Sequence, residues 1–279
     1  MIYLSSFLFS DEKVIDPNIY PYNVFADKAE RLLLFAPITV LYGENASGKS
    51  TMLNIMANKL RLEGLEYATS NQYGRVPYFL NFIKGCSYAL GEEENGKALR
   101  RIPQGSRYIK SEDILYEIKK IQQEEALERG YVFDLMKQKG VDRASAEKSF
   151  NSRENYFFTR RQIMQFAQEK YSNGETTMQL LLDAFVPDNL YLLDEPEVSL
   201  SPENQVKLAE EINKMARFLG CQFIIATHSP FMLGTLQAKI YNLDSDCLDE
   251  VPWYELENIR FFNDFFEKYR HLFRKDSVS

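Results

Sequence analysis

The stretch Ile38–Leu60, ITVLYGENASGKSTMLNIMANKL, decides how the rest of the chain is read. Ile38–Tyr42 is an uninterrupted run that reads as a short buried strand. From Lys49 onward Met52, Leu53, Met56 and Leu60 put apolar groups on one face of a helix. Gly43–Gly48 between them reads as a flexible loop. Strand, glycine loop and helix in this order are the context that a phosphate-gripping loop needs.

The spacing supports that reading. Gly43, four residues and then Gly48-Lys49-Ser50 fit the Walker A pattern, in which glycines let backbone N–H groups point inward around phosphates. Lys49 is expected to reach the β- and γ-phosphates and the Ser50 hydroxyl to bind Mg²⁺, with the helix dipole adding to the attraction. The candidate phosphate contacts are Gly43, Glu44, Asn45, Ala46, Ser47, Gly48, Lys49, Ser50 and Thr51. A loop of this kind does not by itself separate a kinase, a GTPase, a transporter motor or a mechanical ATPase.

The chain of 279 residues can bury one large core, or one core plus a smaller lobe. With 45% hydrophobic and 26% charged residues its composition is that of an ordinary globular protein. A net charge of −7 argues against a broad basic face for nucleic acid, though not against a local groove. Cys86, Cys221 and Cys247 are odd in number and widely spaced, so free thiols in a reducing cytosol are expected, with no disulfide framework and no zinc site. The N-terminal MIYLSSFLFSDEKVI reads as a first strand and not as a signal peptide. The longest apolar run, Leu32–Leu41, contains Pro37 and is too short to span a bilayer, so a soluble, cytoplasmic protein is expected.

Strand-like stretches at Ile2–Phe9, Ile38–Tyr42, Leu190–Leu193, Gln222–Ala226 and Ile240–Leu243 are separated by helical ones, which predicts an α/β core. Between Ser111 and Lys170 the pattern turns to long charged segments that favour helix. That interval carries 11 acidic and 11 basic residues, so it is balanced and not a basic clamp. The simplest division is a nucleotide-binding core over 1–110 and 186–279 with a helical lobe inserted at 111–185.

Two further strand tips carry chemistry. In NLYLLDEPEVSLSP, Asn189–Pro202, an apolar strand ends in Asp194-Glu195. A carboxylate there can hold Mg²⁺ through a water, and Glu195 is then placed to orient or deprotonate an attacking water. In CQFIIATHSPFML the strand ends in Thr227-His228-Ser229-Pro230, where a neutral imidazole at His228 can hydrogen-bond a γ-phosphate and sense its loss. His271, the other histidine, reads as structural.

The order Walker A, YSNGE at Tyr171–Glu175, YLLDEPE, SLSP and ATHSP resembles the nucleotide-binding domain of the ATP-binding-cassette (ABC) ATPase superfamily, over about Met1 to Leu243. The resemblance implies a P-loop NTPase core of ABC-ATPase type whose inserted helical lobe ends in the signature motif. It also implies ATP and Mg²⁺ as ligands and an ATP-dependent head-to-tail homodimer. In that dimer Ser172, the Gly174 backbone and Glu175 of one protomer close over the ATP held by the other.

Transporter subunits usually carry LSGGQ and THD where this chain has YSNGE and THSP. The variants are similar to the soluble AAA-type branch, which includes DNA-repair, chromosome-maintenance and phage-defence ATPases. Ala46 stands where close relatives usually show glycine. The glutamine loop has no clear counterpart: SRYIKSEDIL offers Ser111, Glu112 and Asp113 in its place. Superfamily members stack adenine on an aromatic upstream of the phosphate loop, for which Tyr20, Tyr22 and Phe25 are the candidates. The absence of an Asn-Lys-x-Asp stretch disfavours guanine recognition. The expected activity is that of an ATP hydrolase acting on a protein or nucleic-acid partner through its lobe, with a transporter's ATP-binding subunit as the alternative.

Overall fold

The computed structural model describes residues 1–66, 76–114, 173–245 and 248–273, apart from positions 17, 27, 29, 30 and 93–95. Two compact units make up the chain. One comprises Met1–Ile109, Val186–Glu197 and Gln205–Ser279, and the other Lys110–Phe185 and Val198–Asn204. Most of the expected helical lobe, 115–172, lies outside the described residues.

The first unit is built on two sheets. In the smaller, β1 (Leu4–Leu8) pairs antiparallel with β2 (Leu32–Leu34) on one side and β4 (Ser87–Leu90) on the other. The larger sheet has the order β5-β6-β7-β3-β8-β9, with β3 at Ile38–Tyr42, β5 at Arg107–Lys110, β6 at Leu190–Asp194, β7 at Gln222–Ala226, β8 at Lys239–Asn242 and β9 at Asp249–Glu250. β6, β7, β3 and β8 run parallel, and β9 returns antiparallel. Every residue of β3, β6 and β7 is buried. That is why their sequences are near-continuous apolar runs: a parallel sheet is covered on both faces.

Helix α1 (Lys49–Leu60) follows β3 and packs on β6 and β7, with Met52, Leu53, Ile55 and Met56 wholly buried. Burial of each contributes about 1.5–3 kcal/mol. The helix stops at Arg61, which adopts a left-handed φ of 57° and gives its N–H to the carbonyls of the last turn. Helix α2 (Tyr78–Gly85) turns Phe79 and Phe82 into an aromatic cluster with Phe9, Tyr22 and Phe25. Gln222, at the start of β7, is fully buried and bonded on all sides. Its Oε1 accepts from the N–H groups of Tyr3 and Leu4, and its Nε2 donates to the carbonyls of Leu4 and Ala36. One glutamine thereby ties the small sheet to the large one.

In the second unit, Ser111–Ile114 form a helical turn and α3 spans Asn173–Ala184, burying Thr177 and Leu181. Helix α4 (Pro202–Phe218) begins there and continues in the first unit. The first unit ends with α5 (Pro230–Thr235), α6 (Glu257–Lys268) and α7 (Arg270–Phe273). No helix among the described residues is long and apolar enough to cross a membrane. Cys86 and Cys221 are free and buried, and Cys247 lies outside the described residues.

Candidate functional site

Register brings the chemistry together. Leu41 of β3 and Asp194 of β6 both stand level with Ala226 of β7. The phosphate loop, Glu195 and the Thr227–Ser229 turn therefore leave the sheet side by side at its carboxyl edge, where open α/β sheets form their binding crevice. Asp244, just after β8, anchors the loop from the fourth strand: its two carboxylate oxygens accept the Glu44 N–H at 2.9 and 3.1 Å.

Within the loop, Ala46 and Gly48 take left-handed φ values of 69° and 97°. A Cβ on Gly43 would fall 2.4 Å from Ser47 Oγ, and one on Gly48 would fall 2.3 Å from Val24 Cγ1. Both glycines are therefore demanded by space, and Gly48 by conformation as well. The first backbone bond of α1 runs from Met52 N–H to the Gly48 carbonyl, and no side chain caps the helix. The N–H groups of Lys49, Ser50 and Thr51 thus have no partner inside the helix and point out of its positive end. Lys49 is only 4% exposed and its ammonium donates to the carbonyls of Gly43 and Glu44 at 2.8 and 2.9 Å. Ser47 Oγ is shielded from solvent and has no hydrogen-bond partner among the described residues. Helix N–H groups without an intrahelical partner, a buried ammonium and a hydroxyl unpaired among the described residues form a donor set that fits polyphosphate.

Asp194 is held at both oxygens: Ser50 Oγ donates to Oδ1 at 3.0 Å and the Tyr108 hydroxyl donates to Oδ2 at 3.1 Å. A hydroxyl and a fixed carboxylate are hard oxygen ligands, the kind that Mg²⁺ takes alongside waters and substrate phosphates. Among the described residues no cluster of three or more His, Cys, Asp or Glu side chains could hold a metal alone. Glu195 follows with φ at 48°, its N–H bonded to the Ala226 carbonyl and its Oε1 3.9 Å from Lys49 Nζ.

His228 Nδ1 lies 3.6 Å from Oε1 of Glu195 and 3.6 Å from Oε1 of Glu197. Glu197 Oε1 accepts the Thr227 hydroxyl at 2.6 Å and the His228 N–H at 3.1 Å. Burial pushes the Glu197 carboxyl above the ordinary carboxylate range, opposed in part by its bond from Thr227. Ser229 caps α5 by accepting the Met232 N–H and donates to Gln205.

The family described as "AAA domain, putative AbiEii toxin, Type IV TA system", AAA_21, matches residues 76–234. The chain belongs to the AAA_21 family. It is an ABC-type P-loop ATPase domain, as its motif order implied. The maltose/maltodextrin import ATP-binding protein MalK of Vibrio cholerae is 38% identical over 63 residues, which are 23% of this chain and 17% of that protein. The chain thus spans about a sixth of the length of that curated relative. Among solved structures, the SMC head domain from Thermotoga maritima is 14% identical with a TM-score of 0.42, over 86% of this chain and 94% of that one. The cbiO1 protein of Clostridium perfringens, described as part of the ABC transporter complex cbiONQ, is 14% identical with a TM-score of 0.45, over 97% and 99%.

The AAA_21 chain brings Lys49, Ser50, Asp194, Glu195 and His228 within one crevice. Of the signature residues, Gly174 and Glu175 lie in the first turn of α3, while Tyr171 and Ser172 lie outside the described residues. Two of the aromatic candidates for adenine are core residues. Phe25 is 1% exposed, and Tyr22 is packed edge-on against Phe82, its phenol pushed up to about 12 by burial and by its bond to Glu12. Tyr20 lies parallel to Phe79. An open recess of about 450 Å³ adjoins the phosphate loop instead at Asn23, Val24, Tyr42, Asp244 and Asn258. Tyr108, Glu197, Gln205 and Asp244 were missed as site residues. Only Glu197 had a local signal, as the third acid of DEPE.

Proposed function

We propose that this AAA_21 ATPase binds and hydrolyses Mg-ATP at the interface of a head-to-tail homodimer and uses closure and opening to act on a macromolecular partner. The observation that carries the reading is the convergence of the Lys49 loop, Asp194, Glu195 and His228 on adjacent strand ends. Lys49 and the α1 N–H groups neutralise and orient the phosphates, so that the γ-phosphate faces Glu195. Ser50 and Asp194 would hold Mg²⁺, which would supply screening of the charge that develops on the phosphoryl oxygens. Glu195 accepts the proton of the attacking water, and His228 donates to the γ-phosphate and so reports its presence. The signature at Ser172, Gly174 and Glu175 of the second protomer completes the site.

Sedimentation of the Glu195→Gln protein tests the reading, since the amide still holds water but accepts no proton. Turnover should fall by roughly 10²-fold or more. The variant should sediment as a dimer with Mg-ATP and as a monomer with ADP. An oligomeric state indifferent to nucleotide would overturn the dimer mechanism. The second reading, an ATP-binding subunit of a membrane transporter, has the MalK match in its favour; co-purification of the native protein with a membrane subunit would select it.

A further inference from the structure

The turn that presents His228 is organised by a side chain with no part in the reaction as described. Glu197 is 5% exposed, and one of its oxygens holds the turn at two points, the Thr227 hydroxyl and the His228 N–H. Thr227 Oγ1 in turn accepts the Ser229 N–H at 3.0 Å. With both lone pairs of Oε1 engaged, Glu197 has no acceptor left on that oxygen for the His228 ring. The imidazole Nδ1 is left to Glu195, whose side chain is 32% exposed and sits between His228 and Lys49. The other oxygen, Oε2, is buried without a hydrogen-bond partner among the described residues. An ionised oxygen in that place would forfeit its whole hydration, whereas a protonated one forfeits much less. Desolvation pushes the group the same way.

We propose that Glu197 is a positioning residue: its carboxyl, acting as a neutral hydrogen-bond acceptor and not as a charge, fixes the Thr227–Ser229 turn so that His228 faces Glu195. The inference rests on the ATPase reading of His228 given above. It assigns two roles to two acids of one DEPE run. Glu195 handles the proton of the water, and Glu197 holds the histidine that senses the phosphate.

Four variants of the full chain test it: Glu197→Gln, Glu197→Ala, His228→Ala and the double change Glu197→Ala with His228→Ala. The amide carbonyl of Glu197→Gln can accept the same two bonds, so kcat should stay within about threefold of wild type. Glu197→Ala should lower kcat as far as His228→Ala does, roughly 10²-fold, with KM for ATP nearly unchanged. The double variant should be no slower than His228→Ala. A second readout does not depend on turnover. The chain has only two histidines, so imidazole ¹⁵N spectra contain two rings, assigned by His228→Ala. The His228 ring signals should move in Glu197→Ala and stay in place in Glu197→Gln.

A Glu197→Gln protein as slow as Glu197→Ala would show that the charge is required and overturn the proposal. So would unmoved His228 signals in Glu197→Ala, or a double variant slower than His228→Ala. If the wild-type protein proves unable to hydrolyse ATP, the ATPase reading falls, and the imidazole spectra still decide whether Glu197 sets the ring.

Discussion

Strand β7 meets buried polar groups at each end, its own Gln222 at the start and side chains of neighbouring segments beyond Ala226, and the two ends are treated in opposite ways. At its start Gln222 makes four hydrogen bonds with one amide, using its full capacity in a site without solvent. At its finish, about 13 Å away at strand rise, the polar groups are incompletely matched. Ser47 Oγ and Glu197 Oε2 have no hydrogen-bond partner among the described residues, and a buried ammonium rests on carbonyls of its own loop. A saturated polar group holds a fold together, because breaking it leaves buried donors and acceptors unpaired. An unsaturated one at a crevice keeps capacity for chemistry. The difference separates the residues whose loss should unfold the protein from those whose loss should silence it.

Three substitutions bear on that contrast. Lys49→Ala should have the largest effect, loss of calorimetrically detectable ATP binding, because the phosphates keep their backbone donors but lose their neutralising cation. Its melting temperature should stay near wild type, and wild-type ATP affinity would sink the assignment of the loop. Gln222→Leu should do the reverse. Two N–H groups and two carbonyls lose their partner, which should cost about 3 kcal/mol in urea unfolding. The fraction that remains folded should bind ATP normally; weakened affinity in that fraction would mean that the two ends of β7 are not separable. Smallest is Ala46→Gly. A residue with a β-carbon at a left-handed φ is strained, and glycine relieves this at some cost in chain entropy, so a gain of about 0.5–1 kcal/mol is expected. No gain in thermal denaturation would show that the loop bears no strain at Ala46.

The sequence made the crevice more legible than its surroundings for a physical reason. ITVLY, LYLLD and QFIIA are buried on both faces, so their apolar runs stand out, and the chemistry lies directly after them. β4 and β5 gave no such signal, being four residues long and largely exposed or half-buried. Their pairing comes from partners distant in the chain. Tyr108 reaches Asp194 across 86 positions and Asp244 reaches Glu44 across 200, which no local window contains. Tyr22 and Phe25 were ambiguous because an aromatic offered to a base and one offered to a core have the same composition. Gln222, a polar letter inside an apolar run, became meaningful only once β1 and Ala36 were placed around it.

Glu195 sits at φ 48°, a backbone shape that costs a residue bearing a β-carbon roughly 1–2 kcal/mol and suits glycine or asparagine better. With Glu195 in the role proposed for it, stability and turnover favour different amino acids at this one position. A library varied at residue 195 and sorted by resistance to heat alone should drift toward glycine and asparagine, while one sorted by ATP consumption should return to glutamate.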